Sequence, residues 1–260
     1  MPSNYAHYRF GVELLSEMPK EARKPIVRFR RLYDVGLHGP DLFFYYNPLR
    51  TTRVGSLGAR FHAQSGQEFF GRVCRDWRFA PNEAGLAYLF GLLAHYCLDS
   101  ACHPFVNAQS AGGNPSHVQI ETEFDRFLLE MDGKTPPHTQ ALTRHLHLTA
   151  GECATVARFY PGSTSGNIRR CVQTMALCGK LLAVPEGGTR QALTMVLGKL
   201  GETGHILMPA SPDPQCRHLD AALLAYYQQA QARYPALLQQ LQEHLRKNTP
   251  LGADFAANFG

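Results

Sequence analysis

Residues 92–104 read LLAHYCLDSACHP. Three metal-capable side chains interrupt this largely apolar run, His95, Asp99 and His103, each four residues from the last. On an α-helix a step of four residues advances about 40° around the axis, so all three share one face. Leu92, Leu93, Ala94, Tyr96, Cys97 and Leu98 surround the first two, and Phe105 and Val106 follow the third. Burying imidazole and carboxylate among such neighbours costs on the order of several kcal/mol unless they are paired or coordinated. Shortly downstream, Ser116 is placed to cap a helix running to about Met131, and that helix carries His117 and Glu121 at the same spacing. Imidazole nitrogen and carboxylate oxygen are ligands that zinc accepts. Either pair alone arises by chance as a surface or core feature. Together they point to cations held between two neighbouring helices.

The chain around this stretch is helical in pattern, with strand-like alternation rare. Helices are expected over Phe10 to Met18, Lys20 to Val35, Thr51 to Arg75 (with His62 mid-helix), Asn82 to about Cys102, Thr149 to Tyr160, Asn167 to Leu182, Thr189 to Leu200 and His218 to Lys247. Pro104 is expected to end the helix of His95 and Asp99, leaving His103 in its last turn. Segments 37–41, 109–115 and 204–215 are rich in Gly, Pro or Asn and read as loops. The expected architecture is all-α, one compact domain over residues 1–260 with about nine helices.

Composition narrows the function classes. The 260 residues are 44% hydrophobic and 18% charged, which is globular rather than disordered. The net charge of +5 suits an anionic substrate such as a phosphodiester but is too small to argue for nucleic acid. The densest basic stretch, Arg23, Lys24, Arg28, Arg30 and Arg31, reads as the solvated face of a helix. No segment has about eighteen apolar residues in a row, so no stable membrane insertion is expected. The first residues lack the pattern of a secretory signal, making the cytoplasm the expected location. The seven cysteines form no CxxC pair and no disulfide framework, and free, buried thiols are expected. Cys97 and Cys102 stand beside the ligand candidates without the paired spacing of zinc thiolates.

Three outlying positions extend the candidate site: His7, Asp41 in the loop Gly39-Pro40-Asp41, and His62. With them, the chain resembles the zinc-dependent phospholipase C family, whose fold is shared by single-strand-specific zinc nucleases. The matching stretches are residues 5–11 (YAHYRFG), 38–45 (HGPDLFFY), the surroundings of His62, His95 to Asp99, His103-Pro104 and His117 to Glu121. They lie between about residues 5 and 130. The resemblance implies a compact all-α bundle with two to three zinc ions at the bottom of a cleft. One zinc would be held by Asp41, His62, His95 and Asp99, and a second by His103, His117 and Glu121. A third would be held by His7, a bridging Asp99 and the chain's own N-terminus. The secreted enzymes of the family offer a tryptophan amine as that last ligand. Here the chain begins Met1-Pro2, and Pro2 would offer a secondary amine in that place only after removal of the initiator methionine. The Asp99-to-His103 spacing of four is also shorter than in the secreted enzymes, although it keeps both residues on one face.

The implied activity is zinc-dependent phosphodiester hydrolysis of the phospholipase C kind, on a phosphodiester small molecule or a phospholipid head group. Asp41 would both ligate and hold the attacking water. Phe43, Phe44 and Tyr45 are candidates to line the substrate cleft, although an aromatic run also serves as core packing. Two alternatives stay open: a nuclease or nucleotide phosphoesterase on the same metals, and a metal-stabilised binding protein without turnover. Nucleic acid is disfavoured because no stripe of alternating cations and aromatics is visible. His38, Asn107 and Ser116 are second-rank candidates near the ligands. His138, His145 and His147 read as exposed, His244 as solvated, and Trp77 as packing.

Overall fold

The computed structural model describes residues 4–199 and 205–260. The Pro2 amine, the end of the helix expected to reach Leu200 and the start of the 204–215 loop lie outside them. In chain order the helices are α1 (Asn4–Glu17), α2 (Lys20–Arg28), α3 (Arg30–Gly36), a 3-10 segment (Gly39–Tyr45), α4 (Leu57–His62), α5 (Gly66–Phe79) and α6 (Glu83–Ser110). They continue with α7 (His117–Met131), α8 (Ala150–Ala157), α9 (Ser165–Leu182), α10 (Gly188–Leu197) and α11 (Asp220–Lys247). No β-strand occurs among the described residues, so the all-α expectation holds. No helix among them is long and apolar enough to cross a membrane.

The central element is α6. Asn82 caps its start, with Oδ1 accepting from the Gly85 amide at 2.6 Å. From Ala87 to Ser100 every residue is buried, the signature of a helix packed on all sides. α3 crosses it so closely that the backbones touch. A Cβ on Gly91 would stand 2.2 Å from the Tyr33 carbonyl oxygen, and one on Gly36 would stand 2.5 Å from that of Tyr88. Only glycine at both positions allows this crossing. On another side α11 lies along α6, where the Tyr234 hydroxyl donates to the Phe90 carbonyl (3.2 Å) and the Cys97 thiol to that of Ala230 (3.2 Å). Residues 249–260 then return across α5 and α6, burying Phe255 and Phe259 completely. No disulfide forms among the seven cysteines.

Several expectations are corrected, each by tertiary contact. α1 starts at Asn4 rather than Phe10, because Asp125 on α7 accepts from the first-turn amides of Tyr5 and Ala6. The stretch 20–35 is two helices, broken at Phe29 (φ −123°, ψ 47°) so that α3 can turn onto α6. The stretch 51–75 is also two, with Ser65 capping α5, and His62 stands at the end of α4 rather than mid-helix. Eleven α-helices therefore replace the nine expected among the described residues. Pro104 does not stop α6. The proline removes one rung of the ladder, but α7 and α11 pack against the helix and carry it on to Ser110, leaving His103 inside it.

Candidate metal centre

Five elements converge on one point. α1 brings His7, the 3-10 segment Asp41, α4 His62, α6 the trio His95, Asp99 and His103, and α7 the pair His117 and Glu121. Asp99 is the hub. Its Oδ1 lies 3.1 Å from His7 Nε2 and 3.7 Å from His103 Nε2, while Oδ2 lies 3.0 Å from His95 Nε2 and 3.8 Å from His62 Nε2. To one side, Asp41 Oδ1 is 2.8 Å from His62 Nε2. To the other, Glu121 Oε1 is 3.3 Å from His103 Nε2 and 3.2 Å from His117 Nε2. Three donor groups emerge, each with ligand atoms within 4.8 Å of one another: His7–His95–Asp99, Asp41–His62–His95, and His103–His117–Glu121.

The remaining ring nitrogens explain why the imidazoles point this way. Nδ1 of His62 faces the Gly58 carbonyl (2.8 Å), that of His95 the Leu37 carbonyl (3.2 Å), that of His103 the Phe259 carbonyl (2.7 Å), and that of His117 the Asn107 Oδ1 (3.0 Å). A carbonyl oxygen only accepts, so each Nδ1 carries the proton and each Nε2 is left as a lone pair aimed inward. A lone pair facing a carboxylate oxygen at about 3 Å is repulsive unless a proton or a cation stands between them. The metal-free chain answers with protons. Burial pulls the His103 imidazole down, but Asp99 and Glu121 outweigh it and raise it to about 10. Burial likewise opposes His7 and His62, and Asp99 and Asp41 respectively raise them. Burial pushes Asp99 and Glu121 up, yet the imidazoles around them hold both below the usual carboxylate range.

The donors fit cations. Buried Asp41 Oδ2 and Glu121 Oε2 have no hydrogen-bond partner, and Asp99 Oδ2 and His95 Nε2 face each other at 3.0 Å without hydrogen-bond geometry. Buried polar atoms are rarely left so, and this set consists of hard and borderline donors of the kind zinc takes. Cys97 and Cys102 belong to none of the three donor groups.

The candidate residues differ in their access to solvent. A cleft of about 520 Å³ opens over the centre, lined by Asp41, Phe44, His62, His103, His117 and Glu121 among others. Of the three aromatic candidates, only Phe44 borders it, with its ring 5.6 Å from that of His62. Phe43 is a correction: it is fully buried, edge-on to Tyr160 at 5.0 Å, and belongs to the core. Tyr45 is another, for it is buried and borders a separate cavity of about 100 Å³, near Asn4 and Asp125. His38 is buried, with Nε2 2.8 Å from Nε2 of His145, and contacts none of the donor groups through a ring nitrogen. His138 and His244 are buried and His145 is largely so, against the expectation that they face solvent. Ser116 Oγ caps α7 and meets His205 Nδ1 at 2.7 Å, and Asn107 orients His117.

Two contributors were not legible as candidates. Asp125 clamps the start of α1 onto α7, accepting from the Tyr5 and Ala6 amides at 2.9 and 2.8 Å, and so holds His7 over Asp99. A signal existed: Asp125 continues the His117–Glu121 stripe by four more residues on the same face. The Phe259 carbonyl, which fixes the His103 ring, had none, because a backbone atom leaves no mark in composition.

No curated protein and no solved structure matches the chain significantly. The family model for zinc dependent phospholipase C matches residues 6–158, which span α1 to the end of α8 and every residue of the three donor groups. With that match covering more than half of the chain, and with the helical fold and convergent donors beneath it, the protein belongs to the zinc-dependent phospholipase C family.

Proposed function

We propose that this chain is a zinc-dependent phosphodiester hydrolase of the phospholipase C kind, acting on a phosphodiester such as a phospholipid head group. The observation that carries this reading is the opening of the donor cluster into a cleft. Asp41, His62, His103, His117 and Glu121 reach it, whereas a closed structural site would be sealed by protein on all sides. His95, Asp99, Asp41 and His62 would hold one zinc ion, His103, His117 and Glu121 a second, and His7 with Asp99 a third. When bound, zinc supplies Lewis-acid polarisation of a phosphoryl oxygen and acidifies water near it.

The chain's own part is positional and acid–base. Asp99, ringed by four imidazoles, fixes the separation of the donor groups. Asp41 has one oxygen held by His62 and the other without a partner, so that second oxygen is the proton acceptor for a water attacking phosphorus. In that step the new P–O bond forms from water, one proton passes to Asp41, and the P–O bond to the leaving alcohol breaks. The leaving oxygen takes its proton from solvent at the cleft mouth. Phe44 lies at the rim, where an acyl-glycerol or other apolar leaving group would rest.

The test is zinc content by mass spectrometry, followed by assays of the zinc-loaded protein on phosphatidylcholine, bis(4-nitrophenyl) phosphate and single-stranded DNA. The reading expects zinc at two or more equivalents and cleavage of the first two substrates. Preferred cleavage of DNA would favour a nuclease, and zinc binding without any turnover would favour a metal-stabilised binding protein. D41N is expected to keep at least one zinc and lose hydrolysis. Full activity in D41N would reject its role as proton acceptor.

A further inference from the structure

The chain's charge is distributed unevenly. Stretches 42–67 and 153–185 contain no Asp or Glu at all, yet they carry Arg50, Arg53, Arg60, Arg158, Arg169, Arg170 and Lys180. These seven cations exceed the net charge of the whole chain, +5, so the remainder is net acidic. The fold brings the two stretches together. α9 packs along the 3-10 segment that holds Asp41, and the Arg170 guanidinium lies 4.6 Å from the centre of the Tyr46 ring.

The basic stretch 23–31, by contrast, has four of its five cations in ion pairs, and Arg23 donates to the Leu15 carbonyl. Lys24 pairs with Glu21 (2.7 Å), Arg28 with Glu83 (2.7 Å), Arg30 with Asp34 (2.6 Å) and Arg31 with Glu152 (3.0 Å). Among the described residues, none of the cations in the two acid-free stretches has an ion-pair partner. Of the seven, Arg158 borders a separate cavity beside Asp76, whereas Arg50, Arg53, Arg169, Arg170 and Lys180 lie on α9 and the loop that Tyr46 ties to it, a field that an anionic partner would neutralise.

The same surface exposes aliphatic side chains. On α9, Arg170, Leu177 and Leu181 follow a helical stripe, and the two leucines are 54% and 58% exposed. Lys180 and Arg169 flank that stripe, also exposed. Leu49, 74% exposed, projects beside Arg50 from the loop that Tyr46 ties to α9. Exposed leucines set among cations fit a lipid surface, where the apolar groups enter the acyl boundary and the cations meet phosphates. A nucleic acid would call for exposed aromatic rings instead, and Tyr46 is already covered by Arg170.

We propose that the face formed by α9 and the 46–53 loop docks this protein on anionic lipid membranes, at the rim of the metal cleft. Its link to turnover rests on the hydrolase reading above, but the docking itself does not. Phe44 and α4, which line the cleft, adjoin this face, so docking would bring head groups to the cleft mouth.

The test is co-sedimentation of the full-length zinc-loaded chain with vesicles of phosphatidylcholine alone, or of phosphatidylcholine with phosphatidylglycerol. Binding is expected only to the anionic vesicles, with release at about 1 M salt. At roughly 1 kcal/mol per cation near such a surface, R169Q/R170Q/K180Q should weaken binding about a hundredfold. L177S/L181S should weaken it about tenfold, and the charge-matched control R23Q/K24Q/R28Q should leave it unchanged. All these positions are exposed, except Arg23, which is half-buried, and all lie outside the donor groups. Equal binding to both vesicle types, an unaffected triple variant, an equal loss in the control, or displacement of the vesicles by single-stranded DNA would each overturn the proposal. Turnover of soluble bis(4-nitrophenyl) phosphate, measured on the same samples, separates the two readings. Docking without turnover counts against the hydrolase, and turnover without docking counts against this surface.

Discussion

Replacing Asp125 with alanine tests whether the centre depends on a clamp that contains no ligand. The carboxylate accepts from two buried first-turn amides of α1, at 2.9 and 2.8 Å, and lies at the positive end of that helix. Removing it leaves two donors without acceptors, each costing about 1–3 kcal/mol, and forfeits a helix-end charge interaction of up to about 2 kcal/mol. Asp125 also borders the cavity of about 100 Å³ near Asn4, so water can enter and recover part of that loss. The expected net destabilisation is therefore about 2–4 kcal/mol, a large share of a domain's usual 5–15 kcal/mol. It falls on α1, and so on His7. Urea unfolding of the metal-free D125A protein should show this loss, and zinc content should fall by one equivalent with the His103–His117–Glu121 group still loaded. A loss below about 1 kcal/mol together with a full zinc complement would refute the clamp, because the amides would then have found other acceptors without moving His7.

Other substitutions probe how the ligands are held. Gly39 has φ +47°, and a Cβ there would stand 2.3 Å from Cδ2 of His95. G39A should therefore cost about 2–5 kcal/mol from left-handed strain and overpacking, with loss of zinc from the Asp41–His62–His95 group, read by urea unfolding and metal content. F259A removes a fully buried ring and should cost about 3–5 kcal/mol while freeing the carbonyl that orients His103. Zinc should leave the His103–His117–Glu121 group first, and wild-type zinc affinity in that variant would reject the positioning role. His38 and His145 stack their Nε2 atoms 2.8 Å apart, and burial holds both below the ordinary value, His145 at about 4. The fold prefers them neutral, whereas the unfolded chain protonates them near 6.5. Stability should thus be full above about pH 6.5 and fall by on the order of 3 kcal/mol toward pH 4 for His145 alone. H145Q should flatten that acid limb in pH-dependent urea unfolding.

Much of this protein is written in short-range pattern. The helical class, the shared face of His95, Asp99 and His103, and the Ser116 cap with His117 and Glu121 behind it all follow from a period of 3.6 and from capping chemistry, which act within a few residues. The family likeness read from the sequence rests on the same short motifs, which lie within the matched residues 6–158. What failed did so because long-range contacts outweigh local signals. Pro104 is a helix breaker locally, yet packing against α7 and α11 runs α6 past it. Phe43 and Tyr45 look identical to Phe44 in an aromatic run, but the turn of a 3-10 segment sends only Phe44 to the cleft.

By itself, then, the sequence determined which residues can be donors and which of them share a helix, since side-chain chemistry and helical pitch are local properties. Only the tertiary structure decided that α1 and α4 aim imidazoles at Asp99 while the 3-10 segment and α7 bring their donors beside them, that Asp125 anchors α1, and that the Phe259 backbone turns His103 inward. Those relations join residues up to 156 positions apart. They are set by the burial of the core and by the need of each buried polar atom for a partner, and no window of neighbouring residues contains that information.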